Sequence, residues 1–256
     1  MAQKFAIVTG ASTGIGYHLA KLAIENGYDV LAAADTPFEY PLDGAETLQV
    51  DLSTIDGVDQ LVSKAGGRQV DLLCANAGHG LGHAFLDQKV EDWRHVIDTN
   101  ITGTIYLLHK VLPAMVQRND GKVLVTGSIA GYIPGSFQAV YNASKSFVDF
   151  FTDAIRNELK DADGVQITTL KPGPVDTEFF ARGDMEDTSV GDPNADNKRD
   201  PALVAKDGWD ALMGGKDSVF SGFSTKVQGA MANVTPAAVL AEQHRKMAEP
   251  GSASNN

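Results

Sequence analysis

Short apolar runs recur along the chain: FAIV at 5–8, VLAAA at 30–34, LLCA at 72–75, VLV at 123–125 and ITTL at 167–170. Amphipathic stretches of 11 or more residues separate most of them. Strand alternating with helix in this way is the signature of a parallel sheet covered by helices on both faces. The expectation is therefore a doubly wound α/β fold. At 256 residues and 43% hydrophobic, the chain is long enough for one large domain, expected over 1–248. Helices are expected at 15–26, 54–64, 90–118, 139–160, 201–214 and 235–247, with Ser53 as an N-cap, Gly27 and Gly121 past helix ends, and Pro201 in a first turn. Residues 182–200 are polar and glycine-containing, a mobile loop that is either a lid or a surface excursion. EPGSASNN at 249–256 reads as a disordered tail.

Charge narrows the partners. Lysine plus arginine number 21 against 33 aspartate plus glutamate, a formal charge of −12, which disfavours polyanions such as nucleic acid. The single Cys74 lies in an apolar run, so no disulfide framework exists and a reducing compartment fits. The apolar run before Thr9 and Gly10 is too short for a signal-peptide core or a membrane span, so a cytoplasmic location without membrane contact is expected.

Directly after the first run comes TGASTGIG at 9–16. Glycines at 10, 14 and 16 permit a tight turn and a close backbone approach to a phosphate, and the helix that follows offers free N–H groups. The segment joins the first strand to the first helix, where doubly wound sheets bind dinucleotides, so it reads as a pyrophosphate cradle. Its spacing departs from G-x-G-x-x-G, and an ordinary glycine-rich turn is the alternative. The second run ends at Asp35, whose carboxylate suits the adenosine ribose hydroxyls; a solvated strand-end aspartate is the alternative. Neither 11–15 nor 36–40 supplies an arginine or lysine for a 2′-phosphate, which favours NAD over NADP.

At 141–145 the chain reads YNASK. On a helix Tyr141 and Lys145 share one face, a turn apart, and an ammonium there favours the phenolate, moving the group down from about 10. A solvated helix face would show the same spacing. On the same helix, Ala139, Ala143, Phe147, Phe150, Phe151 and Ala154 form an apolar stripe that reads first as packing.

TGASTGIG, NAG at 76–78, Asn100, Ser128, YNASK and PGPVDT at 172–177, in that order, resemble the single-domain branch of the short-chain dehydrogenase/reductase family over about residues 4–180. Ser128 precedes Tyr141 by 13 positions, a spacing typical of that family. The resemblance implies one Rossmann-like domain of about seven parallel strands that both binds the dinucleotide and carries the chemistry. It implies an oxidoreductase moving a hydride between NAD(H) and a secondary alcohol or ketone. Tyr141 would be the general acid/base, Lys145 would hold the nicotinamide ribose and acidify Tyr141, Ser128 would bond the substrate oxygen, and Asn100 would anchor a water in a proton path. Cofactor contacts are implied at Gly10, Ser12, Thr13, Gly14, Ile15 and Gly16, and at Asp51 and Leu52. Others are implied at Asn76, Ala77 and Gly78, and at Pro172, Gly173, Val175 and Thr177. A homotetramer or homodimer is implied as well. An NADP-dependent carbonyl reductase and a non-catalytic nucleotide sensor or scaffold are the rivals; intact Ser128, Tyr141 and Lys145 argue against the second.

For the substrate, Ile129, Ile133, Phe137, Phe179 and Phe180 suggest a pocket for a mainly hydrophobic alcohol or ketone. Arg182 and Lys198 or Arg199 could anchor a carboxylate or phosphate. His79 and His83 lack a third ligand at suitable spacing, so no metal is expected.

Overall fold

The computed structural model describes residues 3–193 and 198–255; residues 1, 2 and 194–197 of the expected domain, and residue 256 of the expected tail, lie outside them. Seven strands, β1 (Lys4–Thr9), β2 (Tyr28–Ala34), β3 (Ala45–Gln49), β4 (Val70–Ala75), β5 (Gly121–Thr126), β6 (Val165–Pro172) and β7 (Ser218–Ser221), form one sheet ordered β3-β2-β1-β4-β5-β6-β7. Every pairing is parallel. The helices are α1 (Gly14–Glu25), α2 (Ile55–Ala65), α3 (Val90–Ile97), α4 (Thr104–Arg118), α5 (Ala139–Glu158), α6 (Phe179–Arg182), α7 (Pro201–Met213), α8 (Phe223–Ala232) and α9 (Ala237–Ala248).

Side chains alternate across a strand, so one strand feeds two cores. Phe5 and Ile7 of β1 join Leu61 of α2, Leu107 and Met115 of α4 and Val148 of α5. Ala6 and Val8 of the same strand join Leu19 and Ala23 of α1 and Val204 and Trp209 of α7 on the opposite face. This two-sided burial is why the inner strands read as continuous apolar runs. The strand order reverses direction between β1 and β4, which opens a crevice at the carboxyl ends of those strands.

The helix expected over 90–118 is broken. Asp98–Gly103 forms a π-helical turn between α3 and α4. A Cβ on Gly103 would lie 2.1 Å from the Leu52 carbonyl oxygen, so only glycine lets this turn press on the segment after β3. Two caps also differ from expectation. Thr54, not Ser53, caps α2 by accepting from the Gly57 N–H, and left-handed Asn119 ends α4 while Gly121 already belongs to β5.

The described parts of 182–200 are tied down: Gly82 N–H donates to the Gly183 carbonyl, and Val190 N–H to the Met247 carbonyl. Where a disordered tail is expected, the backbone of 252–255 makes a 3-10 turn. Ser189 N–H donates to the Ser252 hydroxyl at 2.9 Å, and Gly251 N–H to the Asp187 carboxylate at 3.1 Å. Short polar residues find acceptors there that composition does not reveal.

Because Gly103 carries the π turn against Leu52, Gly103→Ala is expected to destabilise the protein by about 1–3 kcal/mol through overpacking. Urea unfolding of the two proteins checks this; an unchanged midpoint contradicts it.

Candidate active site

The strand ends around the crevice are knotted by one side chain. Asn76, just past β4, donates from Nδ2 to the carbonyls of Thr9 (3.1 Å) and Gly10 (3.3 Å), and its Oδ1 accepts from the Thr126 hydroxyl at 3.0 Å. The Thr9 hydroxyl in turn accepts from the N–H groups of Asn76 and Ala77. β1, β4 and β5 are thereby fixed at the same level.

Over that knot lies a cavity of about 1130 Å³. On the β1–α1 side, Gly10 and Gly14 have φ of 62° and 58°, which glycine tolerates. A Cβ on Gly16 would sit 2.0 Å from the Gly10 carbonyl oxygen, so this glycine packs the helix onto the turn and does not itself line the cavity. Every other expected cofactor residue does, Asp35, Asp51 and Leu52 included. Gly14 faces Thr177, whose Cγ2 would be 2.9 Å from an added Cβ, so the 172–177 segment closes on the turn. The N-cap of α1, Thr13, makes no side-chain cap bond and the first turn holds no acidic residue, which leaves its N–H groups free to receive an anion.

Ser128, Tyr141 and Lys145 line the same cavity. Tyr141 and Lys145 stand one turn apart on α5, and both are buried. In the ligand-free site burial works against the acidified phenol expected above. Burial pushes Tyr141 up to about 12, opposed only by a hydrogen bond with Ser128. Burial pushes Lys145 down to about 8, opposed by the carboxylate of Asp149 one turn further along. Lys145 Nζ donates to the Thr126 carbonyl oxygen at 2.9 Å.

Asn100 does not line the cavity; it braces the wall from behind. Its Oδ1 accepts from His79 N–H at 2.7 Å, and its Nδ2 donates to the His79 carbonyl and the Ser144 hydroxyl. The π turn is what carries this buried amide toward α5. Among the expected substrate residues Ile129, Ile133, Phe179 and Phe180 line the cavity, with Phe179 lying 5.2 Å from the Tyr141 ring. Phe137 does not: it sits at φ 64° beside the Arg245 guanidinium, 5.2 Å from its ring centre. Arg182 lines the cavity while bound to Glu178 at 3.0 Å. Arg199 is instead committed to Asp207, and Lys198 to the Gly191 carbonyl. His79 lines the cavity beside His95, whereas His83 pairs with Asp184 at 2.8 Å.

Sequence reasoning missed the far wall. Met231 of α8, with Leu240, Gln243, His244 and Met247 of α9, also lines the cavity. Helical periodicity could locate α9, but nothing in its letters places it over the site.

The model of the family described as short chain dehydrogenase matches residues 4–187. An uncharacterized oxidoreductase of Staphylococcus aureus (strain MW2) is 31% identical over 204 residues, 75% of this chain and 87% of the relative. A short chain dehydrogenase/reductase from Burkholderia phymatum in complex with NAD superposes with a TM-score of 0.77 at 21% identity, over 89% of this chain and 92% of that one. A short-chain dehydrogenase from Sphingobium yanoikuyae in complex with NADPH gives 0.77 at 21% identity, over 91% and 97%. At that identity the two structures show a shared fold.

The depressed Lys145 yields a pH test. Below pH 8 both folded and unfolded chains hold the proton, and the folded state bears the cost of a buried charge. From about 8 to 10.5 only the unfolded chain binds it, so stability from this group rises with pH. Lys145→Met is expected to stabilise the ligand-free protein at pH 7 by on the order of 1–3 kcal/mol, a gain that shrinks toward pH 10. Urea titrations at both pH values check it; an equal gain at each contradicts the assignment.

Proposed function

The chain belongs to the short chain dehydrogenase family, and from that premise we propose that it is an oxidoreductase moving a hydride between NAD(H) and a secondary alcohol or ketone. The observation that carries this reading is a single cavity lined both by Ser128, Tyr141 and Lys145 and by the uncapped start of α1 with Asp35.

The residues present fit a dinucleotide. The free amides of the first turn of α1 would receive the pyrophosphate, Asp35 the adenosine ribose, and Thr177 with Pro172 and Gly173 the nicotinamide end. Bound there, the nicotinamide supplies the hydride acceptor or donor.

The chain's own part is the proton. Ser128 donates to the substrate oxygen and holds it near the Tyr141 hydroxyl, which takes the carbinol proton in oxidation or returns it to the carbonyl in reduction. A phenol held up at about 12 surrenders its proton reluctantly near neutrality, so the charge on Lys145, present below about 8, is what favours the phenolate once substrate oxygen and ribose hydroxyls enter the site. Asn100 ties the loop that follows NAG, through His79, to Ser144 of α5, where it would anchor a water continuing the proton path from Lys145.

NAD is the preferred cofactor, because Asp35 would repel a 2′-phosphate and the adjoining 36–40 turn offers no cation. The protein works in the cytoplasm as a homotetramer or homodimer; Phe150, 77% exposed on α5, supports burial of that face against a second copy.

Two outcomes are expected. Tyr141→Phe should lower kcat by about 10²–10⁴-fold while NAD affinity stays near the parent value, whereas Lys145→Ala should harm both. Nicotinamide absorbance over a panel of alcohols and ketones reads the first, and cofactor fluorescence the second; a Phe variant of near-normal rate sinks the assignment. NAD should also raise the melting temperature at lower concentration than NADP, and the reverse order would move the reading to an NADP-linked reductase.

A further inference from the structure

α9 brings one titratable group to the cavity that the hydride reaction does not use. His244 is 6% exposed, lines the cavity, and has Nδ1 2.9 Å from the Ser136 carbonyl oxygen. A carbonyl can only accept, so Nδ1 carries the proton. Burial pushes the imidazole below its ordinary 6.5, with the Ser136 bond opposing, so the ring is neutral at pH 7 and Nε2 presents a bare lone pair. Among the described residues no donor reaches Nε2, and Nε2 is not one of the buried atoms sealed without a partner.

The surroundings define what could fill that vacancy of donors. Met231, Leu240 and Met247 line the same wall, and its polar members Gln228, Thr235 and Gln243 are neutral. The nearest acidic residue on α9, Glu242, is exposed and lies off the cavity, while Glu249 is paired with Arg245. No acidic side chain of α8 or α9 lines the cavity, and a neutral hydroxyl or amide N–H would find in His244 an acceptor beside apolar side chains, where a hydrogen bond discriminates strongly. Ser136 also donates through its hydroxyl to the Ala241 carbonyl at 3.0 Å, so α9 is clamped to the segment that leads into Tyr141. His244 lies beyond residues 4–187, the part matched by the family.

Resting on the function proposed above, we propose that His244 is the specificity residue of the substrate pocket: Nε2 accepts a hydrogen bond from a neutral hydroxyl or N–H carried away from the reacting carbon. The substrate class is then an apolar ketone or secondary alcohol bearing one such uncharged donor.

Benzylacetone and its para-hydroxy and meta-hydroxy derivatives serve as probes with NADH. At least one hydroxylated probe should show a KM about fivefold to tenfold below that of benzylacetone, with similar kcat. His244→Asn keeps a short amide that can donate to Ser136 but loses the acceptor at the Nε2 position. It should raise the KM of the preferred probe to that of benzylacetone and leave benzylacetone within about twofold. His244→Gln, with an amide oxygen near the Nε2 position, should retain part of the preference. Equal KM values for all three probes in the parent protein, or an equal loss for all three in His244→Asn, would overturn the proposal. If no probe is reduced, it is the hydride-transfer reading that has failed. The same probes are then compared by thermal shift of the NAD-loaded protein: a hydroxyl preference lost in His244→Asn supports the assignment, and none overturns it.

Discussion

The structure depends on the side chain of Asn76. A parallel sheet leaves the carboxyl ends of its strands as a row of carbonyls and loops with no ladder partner, and at the switch between β1 and β4 those ends would otherwise diverge. Asn76 spans the gap with three hydrogen bonds, to Thr9, Gly10 and Thr126, and Thr9 returns two more. The close packing that follows is strict: a Cβ on Gly10 would be 2.9 Å from Cα of Ala77, and one on Gly16 would be 2.6 Å from Nδ2 of Asn76 itself. The turn that would receive a pyrophosphate and the loop that carries His79 therefore share one set of bonds. Moving either one moves the other.

Behind this knot, the sheet and α5 hold a line of buried charge. Lys145, Asp149 and Lys171 are each at most 5% exposed. Lys171 Nζ lies 3.4 Å from Asp149 and also donates to the Tyr132 hydroxyl. Burial raises the Asp149 carboxyl and depresses Lys145, so each ion is held by its neighbours against the same desolvation. Buried ion pairs of this kind contribute little net stability, because their attraction mainly offsets the loss of water. Their effect here is on position. An extended lysine anchored to the Thr126 carbonyl on one side and drawn by Asp149 on the other has little freedom to leave the Tyr141 face.

What the sequence made legible follows from range. Strands buried on both faces announce themselves as apolar runs, whereas the edge strands β3 (AETLQ) and β7 (SVFS), exposed or half-exposed except at Ser221, offer no such run. The glycine turn and the Tyr141–Lys145 spacing are local and were readable; the environment of that pair was not, since letter spacing carries no measure of burial. The π turn hides inside a continuous helical pattern because its cause, the Leu52 carbonyl against Gly103, lies 51 positions away. Phe137 looked like pocket lining for the same reason. Its partner, Arg245, is 108 positions further on.

The cavity therefore has two kinds of wall. One is built from the ends of β1, β4, β5 and β6 with α5, within residues 4–187, and carries the groups proposed above to handle the proton and the dinucleotide. The other is built from α8 and α9, beyond that match, and is joined to the first through Ser136, which bonds both His244 and Ala241. The bonds from Ser136, and that from Val190 to the Met247 carbonyl, hold this second wall without involving the knot at Asn76. Among the described residues no donor reaches the uncharged acceptor on His244 in that second wall, so under the proposal above a substrate that meets Tyr141 and also offers a donor there gains a hydrogen bond that one without it lacks.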